Sequence, residues 1–421
     1  MTLFNKEKNI ALLKNNASFL LNFFHLGFIQ ASNALLQIIL FPIIIRIVGL
    51  QQFGYVIVAN SFAILMGTIV NYGTSQSGIK DVALYKDEHD TKSNIFFTIL
   101  YSRLILFVLS LIVLLIMNFA GVGNFSFFLF AIPIIIAEVI NPLFFFIGIE
   151  KLFVFNLANL ISKIISIILI IFFVHASPQA DKVNFLMGLP TVFFYVLLIL
   201  FATKKYHIHF RYPRLDNLKK LFQENFSLVF NSVSVHLQQS FFLFTLSYIG
   251  NPLVLGAYSL CDKMIGASRM IISSFASAVF PRAVKMFNND PQIWYQNKKK
   301  LNILIAAIFF IVGLIFLLMP GLIISIISGQ RNELSETYLR IISLTPLFIS
   351  LNALNVIELL IKNKYKIILK ISFIILLLSI AVSILFAYFN QSNFFAFYPF
   401  IIETSCLIIY SFFIKKLRSN N

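Results

Sequence analysis

Phe41–Ser61 reads FPIIIRIVGLQQFGYVIVANS. It is apolar enough to enter a bilayer, yet it carries Arg46 a few residues from its middle and two glycines, Gly49 and Gly54, around a short polar Gln-Gln pair. The pattern reads as the end of one membrane helix, a tight turn and the start of the next. A guanidinium at that depth costs on the order of 3 kcal/mol on insertion scales, so Arg46 needs a wet cavity, a partner or a route to the headgroups.

The rest of the chain fits a bundle of such hairpins. Of 421 residues 59% are hydrophobic and 12% charged, with a mean hydropathy of +0.90; an ordinary soluble domain has about 25% charged residues. The apolar residues fall in runs of about 20, each long enough to cross about 30 Å of hydrocarbon as a helix. They do not alternate with polar residues, which excludes a β-barrel. The expected fold is therefore an all-α polytopic membrane protein with about 12 transmembrane helices. They fall roughly at 17–47, 53–78, 94–119, 127–148, 152–175, 184–203, 225–249, 253–280, 301–327, 338–361, 367–389 and 395–414.

Charge sets the expected orientation. The net charge of +17 is scattered between apolar runs rather than gathered on one solvated face, so nucleic acid is not an expected partner. With the N-terminus inside, the inner segments hold most of the basic residues, against Lys182 and Arg331 alone outside. The positive-inside rule then makes both termini cytoplasmic. The basic start NKEKNIALLK leads into a long apolar run without a small-residue cleavage site and reads as a retained first span.

The longest basic connection, KKYHIHFRYPRLDNLKKLFQENF, suggests three parts: an N-terminal six-helix lobe at 1–203, a cytoplasmic linker at 204–224 and a C-terminal six-helix lobe at 225–421. Leu218, Leu221 and Phe222 share a face opposite Lys219 and Lys220, which fits an interfacial helix or a solvated linker. GLQQFGY in the first hairpin is echoed by GNPLVLGAY in the seventh-to-eighth, at the same place in each six-span unit, as in repeat-built transporters.

Enzyme signatures are absent: there is no phosphate-cradling GxxxxGK[ST], HExxH or GxSxG. Cys261 and Cys406 lie inside apolar runs, and His25 and His236 stand alone in theirs, so neither catalysis nor a cofactor or metal is expected. The informative residues are the ionisable ones at membrane depth: Arg46, Lys80, Arg103, Lys163, Lys263, Arg269 and Arg340, with Glu138, Asp262, Glu358 and Glu403. Arg46, Lys80 and Arg340 are near enough to span ends to snorkel instead. Asp262 and Lys263, about 100° apart on a helix, are expected to serve different neighbours. Gln30, Asn33 and Gln37 line one face of the first span, as a polar lining or as interhelical hydrogen-bonding groups. Arg46 falls on the other side of that helix unless Pro42 kinks it.

IQASNALLQIILFPIIIRIVGLQQFGYV resembles the first hairpin of the Wzx-like O-antigen flippases, polysaccharide transporters of the multidrug/oligosaccharidyl-lipid/polysaccharide (MOP) superfamily. Gln30, Ser32, Asn33, Pro42, Arg46, Gly49 and Gly54 carry the match. NPLFFFIGIEKL resembles a second family segment at Pro142, Gly148, Glu150 and Lys151, and VFPRAVKM, LTPLFISLNALNVI and ETSCLII resemble later ones in order. Phe144 and Ile147 replace the family's Trp and Gln, and Asn71 stands where an acid is common.

The resemblance implies a non-enzymatic flippase of the bacterial inner membrane. Its substrate would be an undecaprenyl-diphosphate-linked oligosaccharide, and its partners membrane lipids and other polysaccharide assembly proteins. On that reading Arg46, Arg103 and Arg269 contact the diphosphate, with Lys80 and Lys163 as second choices. Glu138, Glu358, Glu403 and Asp262 become ion-coupling candidates, although pairing with the buried basic residues explains the acids equally well. The rivals are a multidrug cation antiporter of the same superfamily, a polytopic polymerase or acyltransferase, and a structural subunit of an assembly complex. The excess of basic over acidic groups at membrane depth favours an anionic cargo over a cationic drug.

Overall fold

The computed structural model describes Leu36, residues 39–249 and residues 251–419. Gln30, Asn33 and Gln37 lie outside them. The described residues are helical with short connections and contain no strand. Among the described residues ten helical segments are long and apolar enough to cross a membrane.

The first of these, Ile39–Leu84, is 46 residues long, but it is not a straight rod. Gly49 has φ +80, a left-handed conformation open to glycine and strained for other residues. The rings of Phe41 and Phe53 meet edge to face at 6.1 Å, whereas twelve residues of straight helix would hold them about 18 Å apart. The chain therefore turns back at Gly49, as GLQQFGY predicts. Ser177 donates to the Val48 carbonyl at 2.8 Å, satisfying a group that the turn leaves open. Tyr72 and Gly73, both with positive φ, separate this hairpin, α1 (39–71), from α2 (Thr74–Leu84).

The N-terminal half continues with α3 (His89–Phe119), three short helices α4 (Phe125–Leu129), α5 (Ile132–Val139) and α6 (Leu143–Gly148), then α7 (Leu152–Phe173) and α8 (Lys182–Lys205). The span expected at 127–148 is thus one membrane segment made of three pieces. Pro133 opens α5 and Pro142 caps α6. A proline has no N–H to give and clashes with the carbonyl four residues back, which here belongs to Glu138.

The C-terminal half comprises α9 (Leu215–Ile249), α10 (Pro252–Asn289), α11 (Pro291–Leu318), α12 (Pro320–Ser328), α13 (Glu333–Ile342), α14 (Thr345–Ile361), α15 (Tyr365–Phe389) and α16 (Phe397–Ser419). Met319–Pro320 and Ser343–Thr345 break the spans expected at 301–327 and 338–361. The segment read as an interfacial helix or linker differs too. From Leu215 it is the first part of α9, one helix of 35 residues. Leu218 is buried and Phe222 packs edge to face on Tyr72 at 5.0 Å, while Lys219 and Lys220 stay exposed. Through Phe222 this segment packs on the N-terminal half.

Apolar side chains cover the lipid-facing surface, notably along α3, α7 and α11. The interior holds many serines and asparagines, the polar residues that join helices within a bilayer.

Candidate functional site

Besides the docking of α9 on Tyr72, the two halves meet at the end of the bundle that bears Gly49, and the two echoed glycines make this seam. A methyl group added to Gly54 would lie 2.9 Å from the Gly256 nitrogen, and one added to Gly256 would lie 2.1 Å from the Leu50 carbonyl oxygen. Both neighbours are backbone atoms, so neither can rotate aside. Gly256→Ala is expected to force α10 away from α1. Cys261, five residues further on and buried, then becomes reactive to a small maleimide to which it is closed in the wild type; thiol labelling followed by mass determination checks this.

Arg46 lies at the same seam. It donates through Nη2 to the Ile326 carbonyl and through Nε to that of Ile327 at 3.4 Å, in the last turn of α12. The C-terminus of a helix carries partial negative charge and unpaired carbonyls, so a guanidinium is well matched to it. Lys263 completes the seam, its ammonium 5.3 Å from the centre of the Phe41 ring.

Arg103 takes a different place. It is 1% exposed, and its guanidinium donates to Thr74 Oγ1 at 2.9 Å and to the carbonyls of Glu138 at 3.2 Å and Asn141 at 2.7 Å. The Glu138 carbonyl is the one that Pro142 leaves without a helical partner. Arg103 therefore holds the α5–α6 break together, with its charge over the Phe144 ring at 5.3 Å. Nη2 adds a bond to Ser75 Oγ at 3.5 Å, so in this conformation Arg103 is held by acceptors of its own half.

Two cavities flank α9. The larger, about 650 Å³, lies among α9, α10, α14, α15 and α16. Asn231, Gln238 and Gln239 face it from α9, Arg269, Ser273 and Ser277 from α10, Asn352 from α14, Ser372 from α15, and Glu403 and Tyr410 from α16. Residues 231, 235 and 238 fall at i, i+4 and i+7, so one face of α9 is turned to this space. Ser232 and His236 lie about 100° round that helix. They help line the smaller cavity, about 340 Å³, with Asn71, Ser75, Gln76 and Glu138. Sequence reasoning missed the α9 stripe, whose amides at helical spacing repeat the signal noticed in the first span.

In the larger cavity Arg269 donates through Nε and Nη2 to Glu403 Oε1, at 3.1 and 2.8 Å, and its Nη1 lies 3.9 Å from Asp262. Asp262 and Lys263 thus serve different neighbours. One guanidinium shared by two carboxylates leaves the trio formally negative, and an anion reaching Arg269 has to displace Glu403. Gln238 Oε1 and Asn352 Oδ1 are buried in the lining without a hydrogen-bond partner. A ligand rich in hydroxyls could satisfy both.

In the smaller cavity the Glu138 carboxylate accepts from Asn71 Nδ2 at 3.3 Å and Asn141 Nδ2 at 3.4 Å, and makes no ion pair among the described residues. Asn71, the departure from the family pattern, still takes part in the polar cluster.

The remaining candidates lie elsewhere. Glu358 is fully buried between Lys298 at 2.8 Å and Lys362 at 2.9 Å, away from both cavity linings. That double pairing fits a structural charge, not the exchangeable carboxylate expected of an ion-coupling group. Breaking a buried pair typically costs about 3 kcal/mol or more. Glu358→Gln is accordingly expected to lower the melting temperature of the purified protein by several degrees. Lys80 is exposed on α2, and Lys163 is half-buried on α7.

The sequence family described as "Polysaccharide biosynthesis protein" matches residues 19–287, well over half of the chain. A "Putative O-antigen transporter" of Escherichia coli (strain K12) is 24% identical over 360 residues, covering 84% of this chain and 86% of that protein. One of the same description from Shigella dysenteriae is 24% identical over 342 residues, covering 79% and 84%. Among solved structures, the inward-facing form of a multidrug resistance MATE family transporter of the MOP superfamily superposes with a TM-score of 0.73 at 13% identity. It covers 93% of this chain and 98% of its own. The lipid II flippase MurJ in its inward closed conformation gives 0.66 at 16% identity, covering 94% and 87%. At such identities the structures speak for the fold alone, but the fold and the sequence match agree, and the chain belongs to the polysaccharide biosynthesis protein family of multi-pass membrane transporters.

Proposed function

We propose that the protein is a flippase that carries an undecaprenyl-diphosphate-linked oligosaccharide from the cytoplasmic to the periplasmic leaflet of the bacterial inner membrane. The names of its relatives support a cargo of this kind. The observation that carries the reading is the larger cavity, which sets the Arg269 guanidinium, held by Glu403, among serine hydroxyls and unpaired amide oxygens inside an apolar shell. A diphosphate cannot cross hydrocarbon unaided because desolvating its charges is too costly. Arg269 would replace part of the lost hydration with charge-assisted hydrogen bonds, and the amides of Gln238 and Asn352 would bond sugar hydroxyls.

In this reading the chain has twelve spans, one on either side of the Gly49 turn, with both termini cytoplasmic. Its lobes, 1–203 and 225–421, rock about the connection 204–224 to give alternating access. The seam at Gly54, Gly256 and Arg46 is the closed periplasmic gate, which answers why an arginine lies in the first hairpin. When the diphosphate takes Arg269, Glu403 loses its partner and is ready to accept a proton. Release reverses the exchange, so cargo and proton bind and leave together. Collapsing the pH gradient is expected to speed outward flipping, because the accompanying proton then no longer moves uphill; a rate that does not change removes this coupling.

Deletion of the gene followed by localisation of the lipid-linked repeat tests the function. Accumulation on the cytoplasmic leaflet is the expected result, and accumulation on the outer leaflet points to a polymerisation step instead. A cation exporter is the second reading, favoured by Glu138, a carboxylate at a polar cavity without an ion-pair partner among the described residues. It predicts drug sensitivity on deletion with the lipid-linked repeat normally distributed.

A further inference from the structure

A third cavity, of about 600 Å³, opens between α11, α14 and α16 at the opposite end of the bundle from Gly49, and none of the transport residues discussed above as cargo contacts lines it. Its upper part is cationic. Lys298, Lys299 and Lys415 line it, and among the described residues no aspartate or glutamate does. Lys298 is buried, with Nζ 2.8 Å from both Asn355 Oδ1 and Glu358 Oε2. Glu358 also holds Lys362, so two ammonium groups share this carboxylate. Lys299 and Lys415 stand exposed at the rim.

The lower part is apolar. Ile303, Ala306, Leu351 and Ile414 form it, and Ile303, 62% exposed, joins it to the lipid-facing side of α11. Between the two parts lies Asn302, whose Oδ1 is buried without a hydrogen-bond partner. Cations above, an unpaired acceptor in the middle and hydrocarbon below describe an amphiphile with a phosphate, a hydroxyl-bearing headgroup and a chain. A free phosphate would use the lysines but would leave the apolar wall exposed to water. Lysines at both helix ends also sit where the apolar runs of α11 and α16 meet the headgroup layer, and basic pockets between helices on the cytoplasmic side bind anionic lipid headgroups.

We propose that this cavity is a binding site for an anionic phospholipid of the inner leaflet, of the phosphatidylglycerol type, with its phosphate between Lys299 and Lys415 and a headgroup hydroxyl on Asn302. The leaflet rests on the orientation proposed above; the binding does not, since it is measured on purified protein without any export.

Native mass spectrometry of the full chain, titrated with phosphatidylglycerol and with phosphatidylcholine, tests the site. Lys299→Gln/Lys415→Gln is expected to weaken the tightest phosphatidylglycerol binding about tenfold and to leave phosphatidylcholine unaffected. Lys219→Gln/Lys220→Gln, two exposed lysines on α9, should change neither. Lys299→Arg/Lys415→Arg, which keeps the charge, should bind as the wild type does. Equal affinity in the Gln variant, an equal loss in the α9 control, or displacement by glycerol phosphate at the same concentration as the lipid would each overturn the proposal.

Discussion

Arg103→Ala is expected to lower the abundance and melting temperature of the protein before it alters transport. The side chain supplies donors to the Glu138 and Asn141 carbonyls, which the Pro142 break leaves without helical partners. A buried carbonyl without a donor costs about 1–3 kcal/mol, so stranding two costs about 4 kcal/mol. That is a large share of the ~5–15 kcal/mol by which native proteins are stable. Arg103→Lys should recover only part of the loss, because an ammonium cannot reproduce the guanidinium fork that serves carbonyls and the Thr74 hydroxyl together. Melting in detergent, measured alongside membrane abundance, is the check. A variant that melts like the wild type but no longer exports would show that Arg103 handles cargo and does not hold the break.

Arg269→Ala is expected to reduce export about 100-fold. Two charge-assisted hydrogen bonds of about 1.5 kcal/mol each correspond to about that factor if the cargo depends on them. The single variant is not diagnostic by itself. It also leaves Glu403, hydrogen-bonded to Arg269 at 2.8 Å, and Asp262 without their cation, and removing one member of a buried pair destabilises by about 3 kcal/mol or more. Arg269→Ala/Glu403→Gln removes one of those stranded charges. It should regain much of the melting temperature and none of the export. Export that returns with stability would make Arg269 a structural counter-ion.

The membrane helices were legible because apolar runs of the right length admit few other folds. The turn at Gly49 was legible from its glycines, and the structure explains why the echo in the other half matters: Gly54 and Gly256 meet across the seam. The three-piece span at 125–148 could have been read from Pro133 and Pro142. What completes it could not, because Arg103 answers backbone carbonyls and carbonyls leave no mark on side-chain identity. Arg46 is a similar case, since its acceptors lie 280 residues away on α12. The arginines expected to converge on one anion are dispersed instead, with Arg46 at the seam, Arg103 in the N-terminal half and Arg269 in the larger cavity. Depth in a helix tells that a charge needs a partner but not which one. Gln238 and Asn352 escaped notice for the opposite reason, being uncharged residues in spans read chiefly for charge.

The claim on which the account turns is that the cavity around Arg269 is a hydrated chamber that admits the lipid-linked oligosaccharide. A photoreactive residue at Gln239, in that lining, and another at Phe172, on the exposed face of α7, can be activated in cells that synthesise the repeat and in cells that do not. The account predicts an adduct carrying the oligosaccharide at position 239, present only when the repeat is made and lost in Arg269→Ala/Glu403→Gln. Adducts confined to position 172, or an adduct at 239 that persists in that double variant, would contradict it.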